Sequence, residues 1–255
     1  MTLSIAFSGK GGTGKTTLSG MLVRYLVSKG MRPILVVDAD SNYNLNEVLG
    51  IEVSTTLGQV REDMKKGQVP SGMTKDRFMS MKLEEAIEES NDFDLVVMGQ
   101  PEGQGCYCAA NTLLSGFMHN LSGNYDYVVM DNEAGMEHIS RLTTRNIDFL
   151  LIVSDPSRRG LQAAGRIKEL AEGLNVGIKK MYLILNNMKS PVSESLKALI
   201  AEYGLDLLGE VYEDETIQDF DLHGRPTFEL PEDNQALQKV FTLFDSLFNG
   251  GESKS

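Results

Sequence analysis

Eight consecutive residues, Gly9-Lys10-Gly11-Gly12-Thr13-Gly14-Lys15-Thr16, have the types and spacing that suit a polyphosphate. Glycines let a backbone come close enough for its amide N–H groups to face an anion, and a helix opening at the end of such a loop adds its positive pole. Lys15 can then reach the β- and γ-phosphates while the Thr16 hydroxyl ligates Mg²⁺. The pattern predicts ATP held by Gly9, Gly11, Gly12, Thr13, Gly14, Lys15, Thr16 and Thr17. Two further stretches end in carboxylates. In Val36-Val37-Asp38-Ala39-Asp40, one aspartate could orient an attacking water and the other could support the Mg²⁺ shell. In Val128-Val129-Met130-Asp131-Asn132-Glu133-Ala134-Gly135, Asp131 suits the second shell of Mg²⁺ and the Gly135 N–H suits a γ-phosphate.

These groups must be brought together by the elements that carry them. Leu3 to Ser8 reads as a strand, and Leu18, Met21, Leu22, Tyr25 and Leu26 fall at helical spacing just after the loop. Further apolar runs cover Ile34 to Val37, Leu95 to Met98, Tyr127 to Met130, Phe149 to Val153, Tyr182 to Leu185 and Leu207 to Val211. Unbroken hydrophobicity, rather than alternation, belongs to strands covered on both faces. The expected fold is α/β, a doubly wound, mostly parallel sheet of about seven or eight strands flanked by helices, with ligands at the carboxyl ends of the strands. One domain is expected over residues 1–248, with a disordered tail over 249–255. Residues 55–90 read as two helices and a loop, where Met64, Met73, Met79 and Met81 suit irregular packing better than a metal path. The last helix carries Leu237, Val240, Phe241, Phe244, Leu247 and Phe248 as an apolar stripe for the core.

The chain has 255 residues, 41% of them hydrophobic, and a net charge of −12. That balance argues against nucleic-acid or anionic-membrane partners. Neither a membrane span nor a secretory leader is legible, so a cytoplasmic protein is expected. In such a compartment the two cysteines, Cys106 and Cys108, suit a metal or redox role better than a structural disulfide.

Lys10 is a second lysine in a loop that needs one for phosphate. With Asp38-Ala39-Asp40 and Asp131-Asn132-Glu133-Ala134-Gly135, the loop resembles the deviant Walker A class of P-loop ATPases, which includes MinD, ParA and the nitrogenase iron protein. The resemblance implies a symmetric homodimer in which Lys10 contacts the nucleotide of the partner subunit. It also implies catalytic roles for Lys10, Lys15 and Asp40, and places Asn186, after Tyr182 to Leu185, against the adenine. Asp40 is followed by Ser41, where the class often has proline.

Cys106-Tyr107-Cys108 supplies two thiolates, half of a four-ligand site, and a two-fold dimer would supply the other half. Four thiolates across the dimer could hold Zn²⁺ tetrahedrally or Ni²⁺ in a square plane. Gly105 to Leu114, with Met98-Gly99 and Ala134-Gly135-Met136-Glu137-His138, is similar to the CooC/AcsF-type nickel-insertion ATPases. That similarity implies an ATP-dependent nickel metallochaperone whose client is carbon monoxide dehydrogenase or acetyl-CoA synthase. The rival readings are an iron-sulfur electron-transfer ATPase and a positioning switch of the MinD or ParA kind.

Overall fold

In a computed structural model of the chain, which describes residues 2–66, 69–100, 121–132, 147–173 and 177–249, the apolar runs form one eight-stranded sheet. Its strands are β1 (Leu3–Gly9), β2 (Ile34–Asp38), β3 (Ile87–Glu89), β4 (Asp94–Val97), β5 (Tyr127–Asp131), β6 (Phe149–Ser154), β7 (Lys180–Met188) and β8 (Leu207–Tyr212). They lie in the order β3-β4-β2-β5-β1-β6-β7-β8. All neighbours run parallel except β3 and β4. This is the doubly wound sheet expected from the hydrophobic runs, and each of the seven expected strands falls within three residues of an observed one.

β3 was not among them. Ile87-Glu88-Glu89 is short and acidic, so it has no apolar signature, and it is a strand because Ile87 pairs with Val96 and Glu89 with Asp94 on the sheet edge. The two helices expected before it are present as Leu57–Lys66 and Lys75–Glu84. Met64 packs against the core, as the packing reading requires.

The helices among the described residues are α1 (Lys15–Ser28), α2 (Leu45–Leu49), α3 (Leu57–Lys66), α4 (Lys75–Glu84), α5 (Arg158–Gly173), α6 (Glu194–Glu202), α7 (Glu215–Leu222) and α8 (Gln235–Asn249). Because side chains alternate across a strand, Ile5 and Phe7 join one core with Leu22 and Leu26 of α1, Leu45 of α2 and Phe244 of α8. Ala6, Val37 and Leu150 join the other with Leu57 of α3, Ile167 of α5 and Ile200 of α6. Every residue of β2 is buried, which is why the sequence showed runs rather than alternation. The apolar stripe of α8 packs inward as expected, with the Tyr25 ring 5.4 to 5.6 Å from Phe241, Phe244 and Phe248. α8 continues to Asn249, one residue into the expected tail, and residues 250–255 lie outside the described residues.

Sheet order decides what meets at the carboxyl edge. β2, β5 and β1 are consecutive neighbours, so Asp38, Asp131 and the glycine-rich loop emerge side by side.

Candidate nucleotide site

The loop leaves β1 at Gly9, where a Cβ would lie 2.3 Å from the Val153 carbonyl oxygen of β6. Only glycine permits that approach. Gly12 and Gly14 adopt left-handed backbone, with φ of +76° and +85°. The Thr13 hydroxyl donates to the Lys10 carbonyl at 2.8 Å, and the Lys15 ammonium donates to the same oxygen at 3.3 Å. α1 opens at Lys15 with no side-chain cap and no acidic residue in its first turn. Its leading N–H groups and positive pole are therefore left for an anion. Lys15 is buried, and desolvation lowers its pKa against the opposing pull of Asp131 and Asp40. A buried ammonium at the end of an uncapped loop fits a triphosphate. Lys10, by contrast, is exposed.

Three carboxylates gather at this edge of the sheet, and two of them, Asp131 and Asp40, act on the charge of Lys15. Asp131 is buried and accepts hydrogen bonds from the hydroxyls of Thr16 and of Ser19, the latter at 3.3 Å. Burial raises its pKa to about 6 despite those donors and Lys15. Asp38 sits beside it in register. Burial, with the nearby charge of Asp131, pushes Asp38 up to about 7. Its Oδ1 accepts the Asp40 N–H at 3.0 Å, and its Oδ2 accepts the N–H groups of Asn44 and Leu45 at 3.1 and 2.9 Å. Asp38 thus holds the loop after β2 and the start of α2. Asp40, half-buried on that loop, keeps one oxygen on the Asn42 N–H at 2.8 Å. The geometry distinguishes the two aspartates, with Asp38 turned onto backbone N–H groups and Asp40 keeping one oxygen on the Asn42 N–H. Thr16, whose hydroxyl donates to Asp131, and Asp131 itself could hold Mg²⁺, directly and through water, where the ion would neutralise phosphate charge.

Asn186, at the end of β7, donates from Nδ2 to the Thr13 carbonyl at 2.8 Å. It lines a cleft of about 90 Å³ together with Gly14, Thr17, Met21, Tyr212 and Ile217. Glu213, Asp214 and Gln218 also line it, so a base entering this cleft would meet both apolar and polar walls. Cys106, Cys108, Gly135 and His138 lie outside the described residues.

Sequence reasoning did not single out Ser19 or Asn132. Ser19 bonds both the Lys15 carbonyl, at 2.9 Å, and Asp131. Asn132 donates to the Phe7 carbonyl of β1 at 2.8 Å, tying the strand that ends in Asp131 to the strand that starts the loop. A polar residue four positions after Lys15, on the face of α1 turned to the sheet, was the available signal for Ser19.

Residues 4–228 match the CobQ/CobB/MinD/ParA nucleotide binding domain. The chain belongs to that family. A relative in Methanocaldococcus jannaschii, described as an uncharacterised ATP-binding protein, is 43% identical over 96% of this chain and 98% of its own length. The carbon monoxide dehydrogenase accessory protein CooC of Rhodospirillum rubrum is 34% identical over 89% of this chain and 90% of its own. Among solved structures, the septum site-determining protein MinD of Pyrococcus horikoshii, complexed with Mg-ADP, superposes with a TM-score of 0.71 and 25% identity over the whole of both chains. The CobQ/CobB/MinD/ParA assignment accounts for the loop, the strand order and the carboxylates at the sheet edge. No helix among the described residues is long and apolar enough to cross a membrane.

Proposed function

We propose that this chain hydrolyses Mg-ATP and uses the cycle to close and open a homodimer that carries nickel to a client enzyme, carbon monoxide dehydrogenase or acetyl-CoA synthase, in the cytoplasm. The hydrolytic part is carried by one observation: Lys15, Thr16, Asp131 and Asp40 converge at the carboxyl ends of adjacent strands. Lys15 and the loop N–H groups bind the phosphates, and Asp40 orients the attacking water. The exposed Lys10 reaches the nucleotide of the partner subunit. Asn186 and its cleft take the adenine. The metal part is supported by Cys106-x-Cys108, which offers four thiolates across a dimer, and by the relative named as a carbon monoxide dehydrogenase accessory protein. Zn²⁺ suits the same ligands.

Equilibrium binding of Ni²⁺ to the metal-free chain, with mass and ultraviolet absorption followed with and without ATP, tests it. The expected result is one ion per dimer, with thiolate charge-transfer bands lost in Cys106→Ser and Cys108→Ser. A chain that binds ATP but shows no cysteine-dependent band overturns the nickel reading and leaves the ATPase.

A positioning switch is the second reading, favoured by the full-length likeness to MinD. It requires ATP-dependent pelleting with vesicles or DNA.

A further inference from the structure

Gln100 lies just past β4, and its side-chain amide donates to Asn42 Oδ1 at 2.7 Å across 58 residues of sequence. The backbone N–H of Asn42 in turn donates to Asp40 Oδ1. The two bonds make a line from Gln100 through Asn42 to Asp40. Its outer end is anchored independently of the loop. The Gly58 N–H donates to the Met98 carbonyl at 2.8 Å, and the Met98 N–H donates to the Asp38 carbonyl at 2.8 Å. Gly99, at φ +63°, presses so close to Thr56 that a Cβ would lie 2.6 Å from its side chain. Among the described residues, Gln100 and Asp38 are the side chains outside the loop that hydrogen bond to residues 40–43, and Asp38 takes the Asp40 N–H rather than its carboxylate. Asp40 remains within electrostatic reach of Lys15, Asp38 and Asp131.

We infer that Gln100 is a positioning residue for ATP hydrolysis: acting through Asn42, it holds one oxygen of Asp40 against the loop and leaves the other for the attacking water. In that step the water oxygen bonds to the γ-phosphorus as the bond to the β,γ-bridging oxygen breaks. The bridging oxygen leaves on ADP, and Asp40 passes the water proton to the released phosphate. The inference rests on the hydrolytic part of the proposed function and needs none of the metal part.

Both side chains are exposed, so their removal leaves the core intact. Steady-state hydrolysis by the full chain is compared for Gln100→Ala, Gln100→Glu, Asn42→Ala and the Asn42→Ala/Gln100→Ala double variant. Gln100→Ala and Asn42→Ala are each expected to lower kcat about tenfold with KM for ATP little changed, because Asp40 is misplaced while the phosphate loop is not. Gln100→Glu retains more turnover than Gln100→Ala, since its carboxylate accepts from Nδ2 once the Asn42 amide turns over. The double variant is no slower than either single, the signature of a shared interaction. Wild-type kcat retained in Gln100→Ala, or multiplicative losses in the double variant, overturns the tether. A wild-type chain that binds Mg-ATP without turnover overturns the hydrolytic reading and this inference with it.

Discussion

Lys15 and Asp131 differ from their exposed counterparts because both are buried at one strand edge, and each partly offsets the cost of burying the other. The balance is incomplete, so Asp131 ionises near 6 rather than 3.8. Between those values the folded chain binds more protons than the unfolded one, and stability falls as pH rises through the window. Above about 6 the loss is fully present; below about 4 it is absent. Asp131→Asn keeps an acceptor for Ser19 and removes the titration. The nucleotide-free variant is therefore expected to melt higher than wild type at pH 7, with the gap closing by pH 4. Superimposed melting curves across that range would falsify this. Lys15→Ala should cost on the order of 3 kcal/mol of ATP affinity, roughly a hundredfold, because it removes a charge-assisted contact made from inside the protein. Isothermal titration with Mg-ATP measures it.

Elements set the site by their order and by a few cross-links. β5 delivers Asp131 and is tied to β1 by Asn132, whose amide reaches the Phe7 carbonyl two residues before the loop. Asn132→Ala should lower global stability by about 1 kcal/mol, the ordinary value of one such bond, and should also loosen the loop. Urea unfolding reads the first effect, and amide exchange at residues 9–14 reads the second; unchanged exchange there would show that β1 holds the loop unaided. Gly9→Ala is expected to be far more severe, because the added methyl overlaps the Val153 carbonyl and either β6 or the loop must shift. Its expected outcome is loss of nucleotide binding, or of soluble folded protein.

For the whole molecule the prediction concerns association. Lys10 is exposed and Lys15 is buried, so their substitutions should separate. Lys10→Ala is expected to bind ATP near wild-type strength but to stay monomeric with Mg-ATP, whereas Lys15→Ala fails at both. Sedimentation at equal protein concentration distinguishes them, and an ATP-dependent dimer in Lys10→Ala would place the contact elsewhere. A chain of net charge −12 should also stay in the supernatant with anionic vesicles, whatever the nucleotide.

The amino-acid sequence by itself determined the phosphate loop, the parallel sheet and the carboxylates at its edge. Each of these is written in short-range terms: glycines where φ must be positive, a lysine at a fixed offset, apolar runs as long as a buried strand. Gly12, Gly14 and the seven long strands could be read because each depends on its own few residues. β3 could not, since Ile87-Glu88-Glu89 has no strand character apart from its pairing with β4. The residue pattern alone left Asp38 and Asp40 alike, two residues apart and identical in type, and it was the resemblance that gave Asp40 the catalytic role. What only the tertiary structure shows is the Asp38 carboxylate turned onto the backbone of residues 40, 44 and 45. Asn132 with Phe7 and Gln100 with Asn42 are pairs separated by 125 and 58 residues. Such pairs depend on strand order and register, which local residue preferences do not encode.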